Sequence, residues 1–221
     1  MKIATLPKSG THLFRNLIGY LEADRGISIE LDHILSTNRR DFVDDTTPTI
    51  VSGRDPRAYF FSLLNWYKRR TKDAEWRTRQ VPHKLTRWDE SSDEERLFAM
   101  IYNTKSSLMM VPSRDSYDQL IKANSKPNCY VTLFERYVPQ KDVLALGDNT
   151  IDEYVRMFGH LGIEMDRSYA KSMLAASWGH SVTWSPAGVD AWRGQMSTTI
   201  QRVIVDIYRD VFETFDYEVA D

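Results

Sequence analysis

The sequence holds a single cysteine, Cys129, so it forms no internal disulfide and offers no cysteine cluster to a metal. Glycine and proline are sparse, at 10 and 8 of 221 residues, which excludes collagen-like and low-complexity chains. Neither sign of charge dominates: 29 Lys and Arg against 31 Asp and Glu leave a net charge of −2, so no global basic field recruits nucleic acid. Any anion must be held locally. No long apolar run is present and the mean hydropathy is −0.47, which argues against a membrane span. Residues 1–20 carry Lys2, Lys8 and Arg15 without a continuous apolar core, so no signal peptide is expected and a cytoplasmic chain is the default.

With 42% hydrophobic residues the chain has ample material for a core, and surface scaling allows about 70% of its unfolded surface to be buried. Lys2 to Leu6 reads as a strand broken by Pro7, and Leu13, Phe14, Leu17, Ile18 and Leu21 recur at helical spacing. Ile27, Ile29 and Leu31 alternate with polar residues toward His33, predicting a second strand. Pro48 to Gly53 predicts a third, and Asp55-Pro56 can cap and open the helix carrying Tyr59, Phe60, Leu63, Leu64 and Tyr67. Strand and helix alternate twice, the signature of a parallel sheet.

The stretch 68–87 is polar and basic, with Trp76 embedded and Trp88 following it; it reads as an insertion or lid reaching to about residue 92, or as a solvated charged face. Ser92 to Glu95 forms a capping-box pattern before an amphipathic helix through Leu97, Ile101, Lys105 and Met109. Asn128 to Phe134 is the clearest buried strand of the second half. Helices follow around 150–161 and 166–176, and one long helix from Val189 to Phe215 closes the chain. One α/β domain spanning 1–221 accounts for all of it, with no repeat and no linker.

The most informative segment is Pro7-Lys8-Ser9-Gly10-Thr11, between the first strand and the first helix. A helix N-terminus supplies unpaired N–H groups, Gly10 permits close approach of an anion, Lys8 adds a mobile charge, and Ser9 and Thr11 add hydroxyls. The nucleotide-triphosphatase loop is excluded, because it places Lys after its second Gly and requires another Gly upstream. A generic tight turn with a lysine tip is the plainer alternative.

A second segment, Gly53-Arg54-Asp55-Pro56-Arg57, closes the third strand, with Ser62 two turns into the helix. Ligands of parallel sheets bind at the carboxyl ends of strands, which puts Arg54 on the edge that carries Lys8. Alternatively Arg54 pairs with Asp55 or a surface carboxylate, and Ser62 merely fits its helix face.

Together these residues resemble the sulfotransferases that use 3′-phosphoadenosine 5′-phosphosulfate (PAPS) and release the desulfated bisphosphate PAP. In that family Pro-Lys-Ser/Thr-Gly-Thr wraps the 5′-phosphosulfate, and an Arg at a later strand end, with a Ser eight residues on, binds the 3′-phosphate. Pro7–Thr11 matches the first motif; Arg54 and Ser62 match the second with its spacing. Phe134-Glu135 and the Ala187 to Arg193 stretch are weaker echoes. Ser185, Pro186 and Ala187 replace the family's Arg-Lys-Gly, so that grip is weaker or comes from Arg193 or His180, and Leu13 stands where relatives often place a stacking Trp.

The resemblance implies a three-layer α/β sandwich with a central parallel sheet of P-loop-NTPase-like topology. It also implies PAPS as donor, PAP as product, no metal, and a small-molecule or glycan acceptor, with oligomeric state open. Lys8 is then the catalytic cation and Ser9, Gly10, Thr11, His12, Arg54, Ser62, Phe134 and Arg193 the nucleotide ligands. His33, where many relatives carry a catalytic His, is the candidate base, with Glu30 and Asp32 in reserve; a lone His is more often structural than catalytic. A nucleotide kinase-like phosphoryl transferase and a non-catalytic module binding an anionic polymer through 68–87 are the competing readings.

Overall fold

The computed structural model describes residues 1–34, 44–70, 88–102, 114–138, 147–178 and 190–219. Four parallel strands form the sheet: β1 (Lys2–Thr5), β2 (Glu30–His33), β3 (Thr49–Gly53) and β4 (Cys129–Leu133), in the order β2-β1-β3-β4. Thr5 pairs with both His33 and Ser52, so the carboxyl ends of three strands lie side by side on one edge. Leu6 extends that edge by donating its N–H to the Ser52 carbonyl at 2.9 Å.

Alternate strand residues face opposite sides. Ile3 and Ile50 pack with α1 (Thr11–Arg25), α6 (Asp148–His160) and α7 (Arg167–Ser177). Ala4 and Val51 face a second core made by α2 (Pro56–Arg70), α3 (Asp93–Tyr102), α4 (Arg114–Asn124), α8 (Thr198–Ile207) and α9 (Arg209–Phe215). The result is the expected three-layer sandwich with helices on both faces of a parallel sheet. A single helical turn, α5 (Phe134–Tyr137), follows β4 directly.

Local signals act as predicted in several places. Ser92 and Glu95 form a reciprocal capping box, Ser92 N–H to Glu95 Oε2 at 2.7 Å and Glu95 N–H to Ser92 Oγ at 3.2 Å. Asp55 caps α2, accepting from Arg57 N–H at 2.8 Å. The closing helix differs from expectation. Ala191 to Met196 forms turns, Ser197 caps α8, and Tyr208 interrupts the helix with φ −113° and ψ 26°. The break has a packing cause: the Tyr208 ring wedges against Tyr117 and Phe60, at 5.0 and 5.9 Å between centroids, and turns the chain onto α4.

Of the basic stretch, Lys68 and Arg69 belong to the last turn of α2, while 71–87 lie outside the described residues, as do Lys105 to Met109, His180 and Ser185 to Ala187. Among the described residues no helix is long and apolar enough to cross a membrane.

Candidate functional site: two turns on one sheet edge

The chain leaves β1 through a tight turn, Ser9 N–H returning to the Leu6 carbonyl at 3.1 Å. The turn requires left-handed backbone at Lys8 (φ 64°) and at Gly10 (φ 83°). At Gly10 a side chain is also excluded by space, since a Cβ would lie 2.5 Å from Tyr137 Oη and 3.3 Å from Phe134. Among the described residues no side chain caps α1. Its first amides therefore remain donors at the positive end of the helix dipole.

The floor of the turn is a buried hydroxyl network. Ser52 Oγ and Tyr137 Oη lie 2.6 Å apart, and each approaches the Ser9 carbonyl oxygen, at 3.0 and 2.7 Å. Tyr137 is itself held by Tyr154 Oη donating to its carbonyl at 2.8 Å. Burial keeps the Tyr137 phenol far above its ordinary pKa, so it stays a neutral donor. Ser9 Oγ, by contrast, is buried without a hydrogen-bond partner among the described residues.

Arg54 joins the second turn to the first. Its Nη1 donates to the Lys8 carbonyl at 3.0 Å, and its guanidinium lies over the Phe134 ring at 4.5 Å. Glu135 Oε1 is 3.7 Å from Nε, which has charge contact but no hydrogen bond among the described residues. Lys8 Nζ sits 5.5 Å from the Trp66 ring centre, and Ser62, half-buried, lies one helical turn before Trp66 on the same face of α2. The Lys8 turn, Arg54 and Phe134 are thus one neighbourhood, with Trp66 of α2 beside Lys8.

His33 borders it from the other side. Its Nδ1 lies 3.3 Å from Thr5 Oγ1 and 3.4 Å from Thr11 Oγ1, and the two threonine hydroxyls are bonded at 2.7 Å. Burial lowers the His33 pKa below 6.5, against the upward pull of the Thr5 hydrogen bond and Asp32. His12 is lowered too, by burial first and then by Arg15, Lys8 and His33. Both imidazoles are therefore mainly neutral at pH 7.

Three candidates stand apart. Glu30 and Asp32, the reserve bases, each lie 3.8 Å from Lys2 Nζ, and Asp32 also accepts the His33 N–H at 2.7 Å. Lys2 opens β1 at the far end from the Lys8 turn, so alternation has turned both carboxylates toward a structural cation. Arg193 pairs with Asp190 at 3.0 Å and Glu218 at 3.2 Å and stacks on Trp192; no contact joins it to Lys8 or Arg54 among the described residues. Trp192 is buried over Arg57 at 4.2 Å, and so serves the core.

Sequence reasoning missed Ser52 and Tyr137. A polar residue in a fully buried strand, and a Tyr one turn after Phe134, were their signals. Among the described residues no three His, Cys, Asp or Glu side chains group to hold a metal ion.

No protein-family profile and no curated protein matches the chain. Solved structures do. The structure of retinol dehydratase with androsterone and the inactive cofactor PAP is similar at TM-score 0.64 and 10% identity, over 100% of this chain and 82% of that one. Mouse sulfotransferase SULT7A1 complexed with PAP is similar at 0.62 and 12%, over 98% and 84%. The chain has the sulfotransferase fold.

Proposed function

We propose that this chain is a PAPS-dependent sulfotransferase, moving a sulfuryl group to a hydroxyl or amine of a small molecule or glycan. The reading is carried by one contact: Arg54 Nη1 on the Lys8 carbonyl, which unites two nucleotide motifs separated by 46 residues. The residues fit the donor. Ser9 Oγ and Arg54 Nε are buried donors without hydrogen-bond partners among the described residues. Such a group costs about 1–3 kcal/mol when left unmade, and an oxyanion supplies what each lacks.

Ser9 and the first amides of α1 would hold the 5′ oxygens, Arg54 and Ser62 the 3′-phosphate, and Phe134 the adenine side. When bound, PAPS supplies a sulfuryl group activated by a phosphosulfate anhydride, whose leaving oxygen gains negative charge. Lys8 meets that charge as it develops, which lowers the barrier more than it aids ground-state binding. His33 takes the acceptor proton at Nε2 while Nδ1–H donates to the threonine hydroxyls. Thr11 then enters through its backbone N–H, its hydroxyl being engaged with Thr5 and His33.

The test is thermal unfolding with adenosine 3′,5′-bisphosphate. At a hundredfold excess over Kd, binding stabilises by about 2.7 kcal/mol, a Tm rise of about 5–10 °C for a chain of this size. Adenosine 5′-phosphate should raise Tm less, and Arg54→Ala should abolish that difference. Stabilisation by ATP with Mg²⁺ but not by the bisphosphate would favour the phosphoryl-transferase reading instead.

A further inference from the structure

Glu135 is absent from the roles above, yet three elements converge on it. Its Oε1 accepts the Asp55 N–H at 3.3 Å and lies 3.7 Å from Arg54 Nε; its Oε2 accepts from Tyr217 Oη at 3.3 Å, in the segment after α9. The charged and titratable groups facing it are Arg54 and Asp55 from the β3–α2 turn, Tyr117 from α4, Tyr137 from its own turn and Tyr217. Asp55 is already matched by Arg57 at 2.7 Å, and burial holds the Tyr117 and Tyr217 phenols neutral. Glu135 and Arg54 therefore form the remaining charge pair, and a loose one.

We infer that Glu135 is the counter-ion that holds Arg54 in the free protein and takes up a proton when a nucleotide 3′-phosphate binds there. The inference rests on the reading of Arg54 given above. A phosphate brought to Arg54 places a second negative charge beside the Glu135 carboxylate, and like charge disfavours ionisation. Burial has already pushed that carboxyl up to about 7, despite the pull of Arg54, so a further rise falls in the neutral range. By linkage, binding then consumes protons, and affinity for the 3′-phosphate falls as pH rises through neutrality. A rise of one unit on binding makes the loss about tenfold at pH above both values.

The experiment is calorimetric titration of the full chain with adenosine 3′,5′-bisphosphate, at matched pH in two buffers of different ionisation heat, alongside Glu135→Gln. The variant keeps an oxygen for the Asp55 N–H and removes the charge. Proton uptake by His12, His33 and the nucleotide itself is common to both proteins and cancels in the comparison. Wild type should take up a substantial fraction of a proton more than the variant, and between about pH 6.5 and 8.5 its affinity should fall about three- to tenfold more. Tight binding with equal proton uptake and parallel pH profiles overturns the inference and leaves the Arg54 assignment standing. Binding no tighter than that of adenosine 5′-phosphate, in both proteins, overturns the assignment and the inference together. If Glu135→Gln does not fold, Tyr217→Phe serves: losing the hydroxyl donor should move the midpoint of the pH dependence upward, and an unmoved midpoint overturns the inference.

Discussion

The turn after β1 and the turn after β3 stand on the same sheet edge and each opens a helix, but they hold charge in opposite ways. The first has left-handed backbone at Lys8 and Gly10 and, among the described residues, no side chain capping α1 and no partner for the Ser9 hydroxyl. The second brings its own anion. Asp55 caps α2 and grips Arg57 through both oxygens, Nε at 3.1 Å and Nη2 at 2.7 Å, while Arg57 is sandwiched by Trp192 and Phe212. Of the two arginines flanking Asp55-Pro56, one is therefore satisfied internally and belongs to the core. The other, Arg54, reaches back to the first turn, its Nε without a hydrogen bond among the described residues. Two arginines of identical chemistry, three residues apart, thus divide into one that its carboxylate hydrogen-bonds and one whose carboxylate stands too far away to do so.

The contrast breaks most visibly at Asp55. Asp55→Ala strands a fully buried guanidinium, and removing one partner of a buried pair costs about 3–5 kcal/mol. Urea unfolding that shows a loss under about 1 kcal/mol would mean Arg57 does not depend on its internal anion. Lys8→Ala should do the reverse. Stability should change by no more than about 1 kcal/mol, while transfer, read as sulfuryl mass gain on a screened acceptor, drops about 10²–10³-fold. Gly10→Ala tests the geometry of the first turn. Left-handed backbone costs an L-residue about 1–2 kcal/mol, and the new Cβ must displace Tyr137, which is fully buried and hydrogen-bonded to Ser9. Adding modest overpacking, the expected loss is about 2–3 kcal/mol, with the bisphosphate-induced Tm rise diminished; a variant as stable as wild type would show that the turn can relax.

These turns were legible in the sequence because their chemistry is local. Gly10 follows a strand and opens a helix, and Asp55-Pro56 caps one, so backbone conformation and residue type agree within a few positions. The layers were legible for the same reason, since Ile3 and Ala4, or Ile50 and Val51, declare opposite faces by alternation alone. What was not legible depends on the chain returning from far away. The Ser9 carbonyl meets Ser52 and Tyr137 across 43 and 128 residues, and no spacing rule links them. Glu30 and Asp32 shared a polar face, but only strand pairing reveals Lys2 as their partner. The periodicity of Ile200, Ile204, Val211 and Phe212 runs straight through Tyr208, so the break in the last helix leaves no trace in the pattern; the aromatic contacts that cause it come from α2 and α4.

The smallest effect sharpens the comparison most, because it separates two uses of one residue in the first turn. Thr11 offers a backbone N–H at the start of α1 and a hydroxyl bonded to Thr5 and 3.4 Å from His33 Nδ1. Thr11→Val keeps the N–H and the shape but removes the hydroxyl. If the hydroxyl orients His33, kcat should fall by the worth of one hydrogen bond, about 0.5–1.5 kcal/mol or roughly two- to tenfold, with affinity for the bisphosphate unchanged. With the neutral His33 imidazole as the proposed base, the acid limb of the rate should remain below pH 6.5 in both proteins, because burial is the largest cause of the lowered His33 pKa. Stability moves the same way: the unfolded chain takes its proton first, so acidifying below 6.5 also weakens the fold, and rates must be read well under the unfolding temperature. An intact kcat with weakened nucleotide binding would assign the Thr11 hydroxyl to the phosphate. An acid limb shifted by His12→Ala but not by Thr11→Val would move the base to His12.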